Sequence, residues 1–120
     1  MEIFRFKEWN VYKEAKQLFI DIIGIVNKLP KEYKYSIGDQ IIRAGLSIIL
    51  NIAEGSGKDS DKELNRYFNI AVGSINETFA VVDIMKDLNF ITEKEFEKVS
   101  KLCVGVSKQL GGFKKTLRSL

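Results

Sequence analysis

The chain has 120 residues, of which 45% are hydrophobic and 29% charged, and its formal net charge is +3. A chain of this length supports one hydrophobic core, so we predict a single domain over residues 1–120, and the ordinary composition excludes a disordered or fibrous protein. Histidine is absent, which removes the commonest general base and the commonest metal ligand. The single cysteine, Cys103, excludes an internal disulfide. We therefore expect a protein that is not an enzyme, with no catalytic residues, cofactor or metal.

The N-terminal residues from Met1 to Trp9 lack the apolar core of a signal peptide. The longest apolar run, from Ile41 to Ala53, contains polar side chains and is too short to span a bilayer. We expect a cytoplasmic protein with no membrane contact and no small-molecule substrate.

The first helix is predicted from about Lys7 to Leu29, where apolar residues recur at alternating steps of three and four. Pro30 should end this helix, because the residue before a proline is pushed out of the α conformation. The residues from Lys31 to Ile37 then form a polar connection that carries two tyrosines.

The second helix is predicted from roughly Gly38 to Glu54, and Gly55-Ser56-Gly57 should stop it. Its apolar residues cover most of the circumference, and they are Ile41, Ile42, Ala44, Leu46, Ile48, Ile49, Leu50, Ile52 and Ala53. A helix that is apolar almost all round is buried on almost all sides. One bundle leaves every helix a face toward water, so we expect another subunit to cover the surplus. If Ile49 faces that neighbour, Ile49→Asp would put an unpaired charge in a buried contact.

Polar residues of the second helix follow one stripe, and the third helix offers two polar partners one turn apart. The set comprises Gln40, Arg43, Ser47, Asn51, Glu54, Ser74 and Glu77. We expect Arg43 to pair with Glu54 or Glu77, and Asn51 with Ser74, because buried polar groups need partners. We interpret the set as a structural network that fixes helix register, in preference to a catalytic or ligand-binding set. Gly45 and Gly73 should permit close approach of helix backbones.

Two capping boxes predict the starts of the last two helices, at Ser60-Asp61-Lys62-Glu63 and at Thr92-Glu93-Lys94-Glu95. The third helix runs to about Leu88. The fourth carries a clear apolar seam from Phe96 to Leu117, and the pair Gly111-Gly112 should weaken its last turns. Four amphipathic helices with short connections predict an all-α, antiparallel up-down-up-down four-helix bundle.

Positive charge is concentrated at the end of the chain. From Lys98 onward there are six basic residues and no acid, and they are Lys98, Lys101, Lys108, Lys114, Lys115 and Arg118. The rest of the chain therefore carries a net charge of −3. One interpretation is a solvated face with cations near a helix C-terminus. The other is a surface that contacts phosphates of RNA or DNA.

Two blocks of the sequence resemble the 23S rRNA intervening-sequence protein family, whose members are often labelled four helix bundle proteins. The first block, residues 40–55, reads QIIRAGLSIILNIAEG, and the second, residues 67–77, reads YFNIAVGSINE. The opening, from Phe4 to Ala15, is also similar to the start of the family. The departures are Ile49 and Leu50, where many relatives have proline and a small residue, and Gly45 in place of the usual alanine. The resemblance implies a homopentameric ring and no settled biochemical activity.

We therefore predict a non-enzymatic homo-oligomer that associates with nucleic acid through the basic residues of the fourth helix. The alternative hypothesis is a protein-interaction scaffold whose basic face meets an acidic partner and never contacts nucleic acid. An enzyme of unrecognised type is a third hypothesis.

Overall fold

The chain is built from four long helices. The computed structural model describes residues 3–119, with side chains described over residues 3–113. The helices are α1 (Asn10–Asn27), α2 (Asp39–Ser56), α3 (Asp61–Asp87) and α4 (Glu93–Ser119). No strand occurs in the described part of the chain, and the molecule measures 47 × 23 × 21 Å. The prediction of an all-α protein with four helices is confirmed.

The N-terminal segment closes one end of the bundle. A 3₁₀ turn, Arg5–Glu8, precedes α1, which begins at Asn10 because Trp9 is extended. The first helix is therefore shorter than predicted at both ends. The Arg5 guanidinium donates to the Ser56 carbonyl from Nη2 at 2.8 Å and from Nε at 3.2 Å. Arg5 thereby satisfies a carbonyl that the end of α2 leaves without a helical partner.

The connection between α1 and α2 is more regular than predicted. It contains a one-turn helix, Lys31–Tyr33, and a π-helical turn, Lys34–Gly38. The ring of Tyr33 packs 5.1 Å from that of Phe90, centroid to centroid, which ties this connection to the turn between α3 and α4.

Glycines within α2 allow close packing against the neighbouring helices. A Cβ at Gly45 would lie 2.9 Å from Ile22 Cδ1 and 3.1 Å from Phe19 Cδ1, so α1 and α2 approach closely there. Gly55 lies inside α2 and does not end it, and a Cβ there would lie 3.1 Å from Tyr67 Cβ. Gly73 differs, because a Cβ on it would meet no atom within 4 Å. The expected close approach at Gly73 does not occur within one bundle.

The two capping boxes form to different extents. Ser60 Oγ accepts the backbone N–H of Glu63 at 3.2 Å, but the Glu63 carboxylate turns to Arg66 Nε at 3.0 Å, so only half of this box forms. The second box is complete, with Thr92 N–H to Glu95 Oε1 at 2.9 Å and Glu95 N–H to Thr92 Oγ1 at 3.1 Å. Hydrogen bonds from Lys28 and Thr92 lower the pKa of Glu95. Because its folded-state pKa is depressed, the stability this carboxylate contributes is lost as the pH falls through that pKa.

The core runs along the bundle axis and includes the predicted seam of α4 as far as Phe113, while Leu117 lies outside the described side chains. The largest fully buried side chain is Phe68, whose ring makes edge contacts with Trp9 at 6.3 Å and Phe113 at 5.3 Å. Cys103 is buried, and burial raises the pKa of its thiol to about 11, so the group is uncharged at neutral pH. The backbone of α4 stays helical through Gly111 and Gly112, so the glycine pair does not end the helix.

Candidate nucleic-acid interface

A chain of three polar side chains links α2 to α3. Ser47 Oγ lies 2.8 Å from Ser74 Oγ, and Asn51 Nδ2 donates to the Ser47 carbonyl at 2.8 Å and to Ser47 Oγ at 3.0 Å. Asn51 therefore reaches Ser74 through Ser47, and not directly as expected. These bonds satisfy polar atoms within a mostly apolar contact.

The charged members of the polar stripe differ from expectation. Gln40 donates to the Glu77 carboxylate, so the amide takes the partner expected for Arg43. Arg43 forms no ion pair with any described residue, and Glu54 is likewise exposed and unpaired. Both side chains are exposed on the outer side of α2.

Asn51→Leu should lower the free energy of unfolding by about 1–3 kcal/mol, because Ser47 Oγ then loses a donor in a half-buried site. Asn27→Leu is the control, since Asn27 is exposed at the end of α1 and makes no side-chain hydrogen bond that the structure shows. Urea denaturation measures both variants. Equal stability of Asn51→Leu and the unmodified protein would contradict a structural role for this amide.

An apolar surface, which we call the outer α2/α3 face, is exposed on the single chain. It consists of Leu46, Leu50, Ile70 and Ile84, whose side chains are 40%, 55%, 41% and 51% exposed. Ile49, in contrast, is buried in the core of its own chain. The condition that Ile49 faces a neighbouring subunit is therefore not met. Leu50, one residue later and 100° round the helix, has the outward position.

The first basic residue of α4 has a partner. Lys98 Nζ lies 3.6 Å from Asp21 Oδ1 on α1, and this carboxylate is only 10% exposed. Asp21 also accepts a hydrogen bond from Gln17 at 3.0 Å. The charge of Lys98 is thus compensated within the bundle, which reduces what it offers to a phosphate.

Lys101 and Lys108 provide two free positive charges. Both side chains are exposed, and neither forms an ion pair with a described residue. They stand seven residues apart on α4, so they share one face at a separation of about 10 Å along the axis. The side chains of Lys114, Lys115 and Arg118 lie outside the described residues, although their backbone belongs to α4.

Beside Lys108, a groove of about 340 Å³ runs between α3 and α4. Its lining includes Phe79 from α3 and Val104 from α4, which are 39% and 50% exposed. The sequence did not predict this groove. The available signal was Val104, an apolar residue that lies off the seam of α4.

Comparison with known proteins identifies the family. The model of the 23S rRNA-intervening sequence protein matches residues 7–112. The chain belongs to this family. A crystal structure of a protein with unknown function from the S23 ribosomal protein family of Bacteroides thetaiotaomicron VPI-5482 is similar, with a TM-score of 0.81 and 24% sequence identity, over 88% of this chain and 98% of that one. A search of curated proteins gives no match.

The family predicted from the sequence is confirmed, and the structural similarity supports the same fold. The two blocks that carry the resemblance, residues 40–55 and 67–77, lie on α2 and α3. These blocks contain Ser47, Asn51 and Ser74, so the polar link described above joins them. In this family member the blocks therefore hold α2 against α3, and the free lysines lie on a different helix.

The described part of this family member contains neither a cluster of metal ligands nor a membrane-spanning helix. No three of its acidic or cysteine side chains converge in a way that would hold a metal ion. None of its helices combines the length and the apolar character needed to cross a bilayer.

Proposed function

We propose that this family member is a cytoplasmic, non-enzymatic homo-oligomer that associates with RNA or other nucleic acid through α4. The observation that carries the proposal is the pair of exposed, unpaired ammonium groups of Lys101 and Lys108 on one face of α4. After Glu97 the same helix carries no acid and four further basic residues, of which Lys98 is paired with Asp21. An uncompensated basic surface of this kind is what phosphate contacts require.

The helix order that we propose is antiparallel, up-down-up-down. Contacts between α2 and α3 join residue 40 to 77 and residue 47 to 74, so numbers rise along one helix as they fall along the other. Contacts between α1 and α4 join 21 to 98 and 28 to 95 in the same sense. Both sets support helices that run in opposite directions.

The assembly that we propose is a closed ring, as a homopentamer, built through the outer α2/α3 face. Leu46 and Leu50 are exposed one turn apart on α2, and Ile70 and Ile84 are exposed on α3. Exposed apolar surface on a single chain marks an interaction surface. Gly73 lies exposed on α3 between Ile70 and Ile84, and its missing side chain leaves room for a neighbouring backbone. A ring would repeat the basic face of α4 and add weak phosphate contacts together.

Reversing three charges tests the proposal. Lys101→Glu, Lys108→Glu and Lys115→Glu in one variant should abolish binding of a fluorescein-labelled RNA, measured by anisotropy near 50 mM salt, where phosphate contacts are least screened. The matched control combines Lys7→Glu, Lys31→Glu and Lys62→Glu, three exposed lysines elsewhere that form no ion pair with a described residue. This control makes the same change in net charge and should bind far more RNA than the α4 variant.

Failure of the unmodified protein to bind at this salt concentration would favour the alternative function, a protein-interaction scaffold. Equal loss in the two variants would show that net charge matters and that α4 has no special part. Retention of binding by the α4 variant would also contradict the proposal.

A further inference from the structure

The groove between α3 and α4 has an apolar interior and polar side chains at its edge. Its walls come from Ile75 and Phe79 on α3 and from Val104 on α4, and Asn76 and Ser107 stand at its edge. Cys103 also lines it as a neutral thiol, since burial keeps this group protonated. The interior is therefore suited to a planar apolar group. At the edge, Asn76 supplies an amide and Ser107 a hydroxyl for hydrogen bonds.

Positive charge is the only charge at this groove. Lys108 lines it directly, and no acidic side chain does. Lys101, Val104 and Lys108 follow one another at steps of three and four, so an apolar side chain that enters the groove stands between two free ammonium groups. A ligand that fits this charge pattern carries anionic groups on both sides of an apolar unit.

The groove and the outer α2/α3 face lie on opposite flanks of α3. Phe79 lines the groove toward α4, and Ile70, nine residues earlier, lies 180° from it round α3. We therefore expect assembly centred on Leu46, Leu50 and Ile70 to leave the groove open.

We propose that this groove receives an unstacked base of a single-stranded nucleic acid whose phosphates lie against Lys101 and Lys108. The proposal rests on the function proposed above and adds a ligand class to it. Phe79 offers its exposed ring to the base, while Asn76 and Ser107 face the polar edge of the base. Bases in a duplex are paired and stacked, so they are not free to enter, and the protein should prefer single strands.

This preference for single strands is the opposite of what positive charge alone would produce. A duplex carries more phosphate per unit length than a single strand, so a purely electrostatic surface binds the duplex more tightly. Three labelled DNA probes of one length separate the two cases: a 12-nucleotide single strand, the same backbone with abasic residues throughout, and the 12-base-pair duplex. All three are titrated with the assembled protein near 50 mM salt.

The unmodified protein should bind the single strand about tenfold more tightly than the abasic strand, because base stacking on an aromatic side chain contributes on this scale. It should also bind the single strand more tightly than the duplex. Phe79→Ala and Val104→Ala should each bring the ratio of single strand to abasic strand close to one. Ile20→Ala, which shortens an exposed isoleucine on α1, is the control and should leave the ratio unchanged.

The outcomes separate this inference from the proposed function. Equal, salt-sensitive binding of the single and abasic strands would overturn base insertion and leave phosphate binding standing. No binding of any probe would overturn both. Val104 is half exposed, so Val104→Ala should fold even if Phe79→Ala does not, because Phe79 also packs 5.9 Å from Phe96. A ratio that stays near tenfold in a folded Val104→Ala variant would place the base elsewhere.

Discussion

Leu50→Asp should convert the assembled protein into monomers of 13.7 kDa. Leu50 is 55% exposed on the single chain, so a carboxylate there stays in water when the chain is alone. In the proposed assembly the same carboxylate would be buried, without a partner, in an apolar contact, which is strongly unfavourable. Size-exclusion chromatography with light scattering at micromolar concentration measures the mass of the variant and of the unmodified protein.

Ile20→Asp is the matched control for this experiment. Ile20 is 61% exposed, but it lies on α1, away from the outer α2/α3 face. The control should assemble like the unmodified protein. A mass of 13.7 kDa for the unmodified protein, or equal dissociation of both variants, would rule out assembly through this face.

Phe68→Ala should lower the free energy of unfolding by about 3–5 kcal/mol, the usual cost of removing a buried ring. Phe68 is fully buried, and its ring packs against those of Trp9 and Phe113. Removing the ring leaves a cavity where the start of α1 meets α3 and α4. Urea denaturation gives the value. Phe4→Ala is the control, because Phe4 is 60% exposed, and it should change stability by less than about 1 kcal/mol. A similar small effect at Phe68 would contradict this description of the core.

The sequence was sufficient to predict the helices because apolar spacing and caps act locally. The seam of α4 as far as Phe113 and the caps at Ser60 and Thr92 belong to single helices, and the structure shows them where the spacing places them. The start of α1 was missed, because the extended conformation of Trp9 accompanies contacts with α3 and α4 that are remote in sequence.

The outward side of α2 was not predictable, because the helix is apolar almost all round. Ile49 and Leu50 are chemically alike, and only the positions of α1 and α3 decide that Ile49 enters the core while Leu50 faces outward. The partner of Glu77 was uncertain for a related reason. Gln40 and Arg43 lie on the same stripe, and the relative shift of α2 along α3 brings the amide to the carboxylate.

The candidate site was predicted in part. The sequence indicates which residues of α4 are basic, but Asp21, which neutralises Lys98, lies 77 positions away and becomes its partner only in the folded bundle. The groove depends in the same way on the packing of Phe79 against α4. Residues that share a helix can be grouped from their spacing, whereas those that meet across two helices require the tertiary structure.

The salt dependence of RNA binding by the unmodified, assembled protein tests the central claim most directly. Phosphate contacts release counterions, so the logarithm of the binding constant should fall linearly with the logarithm of the salt concentration, with a slope of about −0.7 for each contact on a single strand. One subunit offers two such contacts, from Lys101 and Lys108. If several subunits bind the same strand, the slope should be steeper than two contacts would give. A steep linear fall from about 50 to 200 mM salt is the result we predict. No binding at the lowest salt concentration, or an affinity that salt leaves unchanged, would contradict nucleic-acid association through α4.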